Sequence, residues 1–142
     1  MSKKFKDLFN TSKPIIAMVH LPALPGSPLY DSKLGLDHII QVAEKDLISL
    51  QDAGVDAVMF GNENDRPYEL KVDISTTATM AYVIGVLKET LKIPFGVNVL
   101  WDPISTIALA TATGARLARE IFSVVYASDM GLWNPELSHI HI

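Results

Sequence analysis

Short apolar runs alternate with longer amphipathic segments along the chain, and this alternation leaves few possible folds. The apolar runs occupy residues 14–20, 55–60, 93–100 and 116–125. Continuous runs of this length predict strands that are buried on both faces, as in a parallel sheet. Apolar residues at three- and four-residue spacing predict a helix between each pair of strands. The predicted order is β-α-β-α-β-α-β, which implies parallel strands joined by right-handed crossovers.

The three predicted helices carry recognisable end signals. Residues 36–54 form the first predicted helix, and the glycine at its end suits the left-handed position that follows a helix. Ser75 is predicted to cap the second helix, whose apolar face extends to Leu91. Asp102 followed by Pro103 is typical of a cap and the first helical residue of the third.

The remaining segments are predicted to be irregular. Residues 21–35 contain so many prolines and glycines that we expect a long loop after the first strand. Residues 1–13 are polar and basic and predict an N-terminal arm or short helix. Residues 126–142 show no further element, so 127–142 is interpreted as an irregular, truncated tail.

Two architectures fit this alternation. One is the N-terminal half of a (β/α)8 barrel of the TIM type, with four parallel strands and three crossover helices. The other is an open, doubly wound sheet of four strands that is complete in itself. A whole (β/α)8 barrel takes about 250 residues, and this chain has 142. We therefore predict an α/β fold, favour the half barrel, and treat 1–142 as a single partial domain.

Composition and missing motifs exclude several classes of protein. The formal net charge of −4 gives no general attraction to nucleic acid, so we expect no nucleic-acid partner. The chain has no cysteine, which excludes disulfides and thiolate chemistry. No uncharged stretch is long enough to span a bilayer, so we expect a soluble, cytoplasmic protein without a transmembrane segment. P-loop, dinucleotide-binding, nucleophile-elbow and zinc-protease motifs are absent from the sequence.

In both architectures a ligand site lies beyond the carboxyl ends of the strands. His20, Asn62 and Asn98 end or follow the first three predicted strands, and Asp102 lies just beyond Asn98. Asp129 lies in the loop after the fourth strand. Polar side chains therefore gather at one end of an otherwise apolar sheet, and we expect His20, Asn62 and Asn98 to cluster there.

Each of these residues also has a structural interpretation. His20 is either a satisfied core histidine or a group that transfers protons near neutral pH. Asn98 either fixes the neighbouring loops or meets a ligand, and Asn62 either makes a turn or binds. Asp102 is more often simply the cap of the third helix.

Charged residues near the fourth strand have similar alternatives. Arg119 and Glu120 point to opposite sides of that strand. For each of the two residues separately, a structural ion pair is slightly favoured. Arg119 is also able to hold a substrate anion. In one interpretation Glu63 and Asp65 act as bases or metal ligands. In the commoner interpretation they belong to an exposed acidic loop. A terminal histidine pair at 139 and 141 is discounted as a ligand. No pattern identifies a metal or a cofactor.

The strand-end segments together resemble the BtpA/SgcQ family. The similar pieces are M-V-H-L-P-A-L-P-G-S-P at 18–28, G-V-D-A at 54–57, and G-V-N-V-L at 96–100 with A-S-D-M-G at 127–131. The resemblance covers about residues 5–133 and is nearer to the SgcQ-like branch, through F-G-V-N-V-L-W-D-P at 95–103. His20, Asn62, Asn98 and Asp129 match family motif positions.

This resemblance implies a TIM-type barrel grouped with ribulose-phosphate-binding barrels. It also implies that the family members continue for another half barrel. One branch is linked by name to photosystem I biogenesis, and the other to sugar or nucleoside metabolism. Many members carry an Arg-x-Asn pair in the fourth strand, where this chain has Arg119 and then Ile121. The last residues, 136–142, no longer resemble the family, so a truncated or frame-shifted product is expected.

Two functions follow from the residues and the resemblance together. The first is an enzyme that acts on a small phosphorylated sugar or nucleoside-like metabolite and is inactive in this truncated form. The second is a non-catalytic biogenesis or stability factor for a membrane complex. Self-association through open strand edges is expected in either case. The candidate residues are His20 and Asp102 for catalysis, and Asn62, Asn98, Arg119 and Asp129 for substrate binding.

Overall fold

The computed structural model describes residues 3–122, 125–128 and 131–134. The helices are α1 (Lys3–Leu8), α2 (Gly35–Asp52), α3 (Ile74–Leu87) and α4 (Pro103–Thr113). The strands are β1 (Ile16–His20), β2 (Ala57–Gly61), β3 (Phe95–Asn98), β4 (Leu117–Ala118), β5 (Tyr126–Ser128) and β6 (Gly131–Trp133). The predicted α/β alternation is confirmed, and residues 21–34 form the expected loop.

The first four strands form one open parallel sheet in the order β1-β2-β3-β4. A doubly wound sheet contains a point where the strand order reverses, and this sheet has none. Sequential order with right-handed crossovers places every helix on the same face. Consistent with that, α2 packs on α3 and α3 packs on α4. The winding is therefore that of successive barrel strands, and the doubly wound alternative is wrong.

The helix-free face of the sheet is concave. The guanidinium of Arg119, just after β4, donates to Met18 Sδ on β1 at 3.8 Å. Neighbouring strands lie about 4.8 Å apart, so these two strands are about 14 Å apart along the sheet. Contact between side chains of the two outermost strands fits a sheet that curves toward this face, as barrel strands do.

The core lies between the other face of the sheet and the helices. Val19, Phe60 and Val97 stand in one row of the sheet and are fully buried. Helix α2 contributes Ile39, Ala43 and Leu47, whose four-residue spacing is what predicted the helix. Leu21 and Leu24 of the proline-rich loop are also fully buried, so this loop is anchored in the core. The core thus holds the loop that follows β1 in a defined place.

The predicted signals at the end of α2 and the start of α4 are confirmed, whereas both predicted ends of α3 are wrong. Gly54 follows α2 with φ 79°, and Asp102 caps α4 with Pro103 in its first turn. The cap of α3 is different, because the carboxylate of Asp73 accepts from Ser75 N at 2.8 Å and Ser75 lies inside the helix. This helix ends at Leu87, earlier than predicted. None of the described helices combines the length and the apolar character that crossing a membrane requires.

The fourth strand is much shorter than the predicted 116–125. It pairs with β3 only at Gly96 and Val97. Beyond that point the Asn98 side chain takes over, since its Nδ2 donates to the backbone oxygen of Arg119 at 2.7 Å. A side chain that occupies the carbonyl in this way replaces the next bond of the ladder. The chain then leaves the sheet at Glu120.

A small antiparallel hairpin follows, where the sequence predicted only irregular chain. Strand β5 pairs with β6 from Tyr126 opposite Trp133 to Ser128 opposite Gly131. Gly131 has φ 98°, a conformation that glycine adopts without a steric penalty. The sequence signal was the aromatic and apolar residues at 126–127 and 132–133 together with Gly131. The irregular-tail prediction is therefore wrong for these strands, and 135–142 lies outside the described residues.

Gly96 is expected to be essential for the close packing of the concave face. A Cβ at Gly96 would lie 2.7 Å from Leu117 Cβ and 3.0 Å from the Leu117 backbone oxygen. Gly96→Ala should lower the free energy of unfolding by about 1–3 kcal/mol, the usual effect of overpacking. Gly85→Ala on α3 is the control, since its Cβ meets nothing within 4 Å. Urea unfolding should show the control unchanged or more stable, and equal stability of the two variants would contradict the argument.

Candidate functional site at the carboxyl ends of the strands

Four positions form one row across the carboxyl ends of the strands. His20 pairs in register with Gly61, and Gly61 pairs with Asn98. The backbone N–H of Arg119 donates to Val97 O at 3.1 Å, which places Arg119 opposite Asn98. Aligned residues of parallel strands point to the same face, and the contact of Arg119 with Met18 shows that this is the concave face. We call His20, Gly61, Asn98 and Arg119 the carboxyl-end row.

His20 presents an accessible imidazole in this row. Its side chain is exposed, and it has no hydrogen-bond partner among the described residues. The interpretation as a satisfied core histidine is therefore wrong. An accessible imidazole in this position is able to donate a hydrogen bond to a substrate oxygen.

Asn98 is buried, and only one end of its amide is satisfied. Its Nδ2 donates to Arg119 O at 2.7 Å and to Glu120 Oε2 at 2.8 Å. Its Oδ1 is buried with no partner among the described residues, and the residue is only 2% exposed. Asn98 therefore fixes the end of β4, as the structural interpretation predicts, and still leaves one acceptor available.

Within the residues that the structure describes, neither Arg119 nor Glu120 forms the structural ion pair that was slightly favoured for each of them. Within the described part of the chain, the carboxylate of Glu120 accepts only N–H groups that carry no charge. These are Asn98 Nδ2, Trp101 N at 3.1 Å and Ile121 N at 3.0 Å. The exposed guanidinium of Arg119 has Met18 Sδ as its contact. Arg119 is therefore an exposed cation that makes no salt bridge among the described residues, although its charge interacts with the nearby half-buried carboxyl of Glu120.

A cavity of about 210 Å³ lies beside Asn98, Arg119 and Glu120. Trp101 lines it and has φ 66°, in the left-handed region that side-chain-bearing residues rarely occupy. The contacts of this residue include the bond from Trp101 N to Glu120 Oε2 at 3.1 Å and an edge-on contact of its ring with Tyr68 at 4.9 Å. Such backbone strain clusters at functional sites. The loop after β3 thus places an aromatic ring at the rim of the cavity.

Asn62 belongs to a different cavity. Its Oδ1 accepts from Leu100 N at 2.7 Å, and its Nδ2 donates to Asp65 Oδ2 at 3.4 Å. Asn62 and Asp65 line a cavity of about 170 Å³ on the proline-rich loop, which does not include His20 or Asn98. All three predicted residues are at the carboxyl ends of the strands, but the structure brings only His20 and Asn98 into the same row.

Asp65 connects two loops instead of lying in an exposed acidic one. Its Oδ1 accepts from Leu24 N at 2.7 Å, and the neighbouring Asn64 Nδ2 donates to Leu21 O at 2.7 Å. Both bonds join the loop after β2 to the loop after β1. Glu63 accepts from the Tyr68 hydroxyl at 3.2 Å. The interpretation of a merely solvated acidic loop is wrong for Asp65, whose role in the described structure is to order the rim.

Asp102 is confirmed as the cap of α4, and it is nearly fully buried. Its Oδ1 accepts from Ser105 N at 2.9 Å, and its Oδ2 accepts from the Ser105 hydroxyl at 2.8 Å. The same Oδ2 also accepts from Val72 N at 3.0 Å, which joins the start of α4 to the loop before α3. The carboxylate therefore serves the structure of the mouth, and its catalytic role stays a prediction.

The other predicted ligands cannot be placed. Asp129 and the histidine pair at 139 and 141 lie outside the described residues. Within residues 3–122, 125–128 and 131–134, no group of three histidine or carboxylate side chains is arranged to hold a metal ion. Sequence reasoning missed Trp101 and Tyr68 as parts of the rim. Their signal was weak, because aromatic side chains are common in loops that have no part in a site.

The pKa shifts of the Glu120 and Asp65 carboxyls predict how the free energy of unfolding varies with pH. Burial raises the pKa of Glu120 and of Asp65 above the ordinary carboxyl range, and this outweighs the N–H bonds that each accepts. The native chain therefore binds protons at a higher pH than the unfolded chain does, and both groups make the free energy of unfolding fall as pH rises. Their contribution should grow as pH is lowered from neutral toward about 4, the ordinary carboxyl value.

Two variants with opposite expected slopes test this dependence. The Asp65 carboxyl contributes stability that decreases as pH rises, and Asp65→Asn should remove this contribution. The slope of the variant's free energy of unfolding against pH should therefore be more positive than that of the parent. The pKa of Asp73 is lowered by its hydrogen bonds from Ser75, so Asp73→Asn should change the slope in the opposite direction. Urea unfolding over a pH series measures both slopes. An unchanged slope for Asp65→Asn would refute this account of its pKa.

Comparison with known proteins identifies similar chains. The model of the BtpA family matches residues 11–141, so the expectation that the resemblance ends before residue 136 is wrong. The sgc region protein SgcQ of Escherichia coli K12 is 54% identical over 129 residues, which cover 91% of this chain and 48% of SgcQ. The photosystem I biogenesis protein BtpA of Synechocystis is 33% identical over 127 residues, which cover 87% of this chain and 44% of that protein.

An uncharacterized protein of Thermococcus kodakarensis is 39% identical over 122 residues, covering 84% of this chain and 46% of its own length. No solved structure matches the chain significantly. The chain spans about half the length of the curated relatives it matches. The winding of the sheet and this coverage agree with half of a barrel.

Proposed function

Because this chain belongs to the BtpA family, we propose that it is the N-terminal half of a (β/α)8 barrel that acts on a small phosphorylated sugar or nucleoside-like metabolite. The sequential strand order and the concave face support the barrel. Barrel enzymes bind their substrates at the carboxyl ends of the strands, which is where the carboxyl-end row lies.

The observation that carries the proposal is the exposed cation in that row. The guanidinium of Arg119 makes no salt bridge in the described part of the chain, although its charge interacts with the nearby carboxyl of Glu120. A planar guanidinium matches the geometry of a phosphate group and binds it by charge-assisted hydrogen bonds. His20 lies at the other end of the same row, with an accessible imidazole for proton transfer. A cation and a proton donor on one concave face suit the binding and conversion of a phosphorylated metabolite.

Removal of the cation tests this function. Arg119→Gln should weaken binding of ribose 5-phosphate, because one charge-assisted bond contributes about 1.5–3 kcal/mol, or about tenfold to a hundredfold in affinity. Arg116→Gln is the matched control, since Arg116 lies at the opposite end of β4. Binding is measured by NMR titration at millimolar ligand. Equal affinity of both variants and the parent would refute the assignment.

A non-catalytic assembly role is the second candidate. It is supported by the name of the Synechocystis relative, photosystem I biogenesis protein BtpA. Tyr82 and Val86, one turn apart on α3, are 55% and 45% exposed and offer apolar surface away from the carboxyl-end row. The variants are tested in a host strain whose own copy of the gene has been deleted. There, His20→Ala should leave an assembly role intact, while the double variant Tyr82→Lys with Val86→Lys should remove it. The enzymatic role predicts the reverse.

Self-association is proposed for the 142-residue chain. In the described residues, β1 and β4 each pair with only one strand, so both sheet edges are open. Ile16 on β1 is 40% exposed, and neighbouring Ile15 is 63% exposed, which makes the first edge apolar as well as unpaired. Size-exclusion chromatography with light scattering should show dimers or larger species at high concentration. A monodisperse monomer would contradict the proposal.

A further inference from the structure

Thr76, in the first turn of α3, is a buried residue whose hydroxyl has no partner. It is only 6% exposed and lines the cavity of about 170 Å³ on the proline-rich loop, which we call the loop cavity. The hydroxyls of Thr111 and Thr113 donate to backbone oxygens one turn earlier, whereas that of Thr76 makes no hydrogen bond among the described residues. Buried polar groups in native proteins nearly always have a partner. The Thr76 hydroxyl therefore needs a partner that the described residues do not supply.

The Thr76 hydroxyl is accessible. Among the described side chains that are not exposed, the one nitrogen or oxygen atom that is both sealed from solvent and unpartnered is Asn98 Oδ1. The Thr76 hydroxyl is unpartnered and is not such an atom, so it has accessible surface. Because Thr76 lines the loop cavity, a ligand group placed in this cavity is able to reach the hydroxyl.

The loop cavity also contains a carboxyl group with free acceptor capacity. Asp65 Oδ1 accepts from Leu24 N at 2.7 Å, but Oδ2 has only Asn62 Nδ2 at 3.4 Å, beyond the usual N–H···O limit of about 3.2 Å. Glu69 and Asp73 line the cavity too, and no lysine, arginine or histidine does so among the described residues. The loop cavity is therefore unfavourable for a phosphate group and suits a neutral group that donates hydrogen bonds.

The other walls of the loop cavity suit a small ring that carries hydroxyl groups. Apolar and aromatic residues, among them Val72, Leu100 and Tyr68, line it beside the polar groups. A sugar ring combines a C–H surface with hydroxyls that both donate and accept. A sugar hydroxyl is thus able to accept from Thr76 or to donate to Asp65, whereas an ammonium group only donates. The volume of about 170 Å³ is below the 300–1,000 Å³ or so that drug-sized ligands occupy, so the cavity takes one part of a larger molecule.

The loop cavity adjoins the cavity beside Arg119. Leu100 lines both cavities. Tyr68 lines the loop cavity, Trp101 lines the other, and the centroids of their rings are 4.9 Å apart. A ligand that extends past Leu100 therefore meets hydroxyl-binding groups on one side and the guanidinium of Arg119 on the other.

We propose that the loop cavity binds the hydroxyl groups of a sugar ring, through a hydrogen bond from the Thr76 hydroxyl and a hydrogen bond to Asp65 Oδ2, while Arg119 binds the phosphate of the same ligand. The inference rests on the proposed function and deepens it, because it narrows the substrate class to a phosphate ester of a neutral sugar ring. Thr76 becomes a specificity-determining residue that lies outside the carboxyl-end row.

The two cavities divide the recognition of such a ligand between them. Arg119 supplies donors and binds any phosphate. A bare phosphate leaves the buried hydroxyl of Thr76 unpaired, and a site built to hydrogen-bond a ligand hydroxyl disfavours ligands that lack it. The pair of cavities therefore distinguishes a sugar phosphate from inorganic phosphate.

NMR titration of the whole chain with four probes tests the inference. D-ribose should shift the backbone amide signal of Thr76, and ribose 5-phosphate should shift the signals of both Thr76 and Arg119. Inorganic phosphate should shift Arg119 and leave Thr76 unmoved. Methylammonium chloride, at equal ionic strength, should also leave Thr76 unmoved. If D-ribose does not shift Thr76, or if methylammonium displaces it, the loop cavity binds water or a cation instead and the inference is overturned.

Thr76→Val removes the hydroxyl and keeps the shape of the side chain. It should weaken binding of D-ribose and of ribose 5-phosphate about fivefold, the effect of one lost hydrogen bond, and leave inorganic phosphate binding unchanged. Because the hydroxyl has no partner among the described residues, the variant should be at least as stable as the parent in urea. Thr76→Ser should bind like the parent. Thr79→Val is the matched control, since Thr79 is 8% exposed on the same helix and does not line the loop cavity.

The outcomes separate this inference from the function it rests on. A folded Thr76→Val that binds D-ribose and ribose 5-phosphate like the parent overturns the inference alone and leaves the role of Arg119 intact. If D-ribose shifts Thr76 in the parent but neither phosphate probe shifts Arg119, the proposed phosphate site fails and the sugar site in the loop cavity stands.

Discussion

Asp102→Ala is expected to lower the free energy of unfolding by about 2–4 kcal/mol, a large effect for one loop carboxylate. Loss of a helix cap costs about 1 kcal/mol. A buried N–H left without a partner costs a further 1–3 kcal/mol or so. Asp102 supplies both functions, since it caps α4 through Ser105 and accepts from Val72 N, and it is only 4% exposed.

Two further variants separate these contributions. Asp102→Asn keeps one cap oxygen and places an amide against Val72 N or the Ser105 hydroxyl, so an intermediate loss is expected. Asp73→Ala removes the cap of α3, which is solvated and accepts from backbone N–H groups of its own first turn, and its loss should be smaller than that of Asp102→Ala. Urea unfolding at neutral pH measures all three. Equal losses for the two alanine variants would show that the bond to Val72 contributes nothing.

The 142-residue chain is expected to bind ribose 5-phosphate at least about a hundredfold more weakly than its relatives of twice the length. Phosphate sites in barrels are frequently built by the loops after the seventh and eighth strands, and four parallel barrel strands are described here. Two missing charge-assisted bonds at about 1.5–3 kcal/mol each correspond to roughly two to four powers of ten.

Titration calorimetry on this chain and on SgcQ of Escherichia coli, of which the chain covers 48%, measures the difference. The control is to add a separately produced fragment of SgcQ that contains the half not covered by this chain. This fragment should restore affinity if its loops supply the phosphate ligands. Equal binding by the short and long chains would show that the carboxyl-end row contains the complete site. In that case Arg119 would be the principal phosphate ligand.

Much of the fold could be predicted from local patterns. The first three strands, the loop at 21–34 and helices α2 and α4 all follow from hydrophobic periodicity and from end signals such as Asp102 and Gly54. These features depend on residues a few positions apart. The location of the candidate site at the strand ends follows from parallel topology, which the alternation of elements already implies.

Two errors have a common cause. The predicted fourth strand was too long because the side chain of Asn98, which is 21 residues from Arg119 in sequence, occupies the carbonyl that would continue the ladder. The ion pair that was slightly favoured for Glu120 is not found among the described residues, because its carboxylate accepts from Asn98 Nδ2 and from Trp101 N. Neither contact is visible in a window of neighbouring residues.

Local sequence is therefore sufficient for the strands, the helices, and the edge of the sheet where polar side chains collect, because hydrophobic burial and capping act over short separations. Tertiary structure alone decided which of those side chains meet. It placed His20 and Asn98 in one row with Arg119, turned Asn62 into another cavity, and left Asn98 Oδ1 without a donor among the described residues. The physical reason is that strand register and sheet curvature set the distance between residues far apart in sequence, and hydrogen bonds at the strand ends depend on that distance to a few tenths of an ångström.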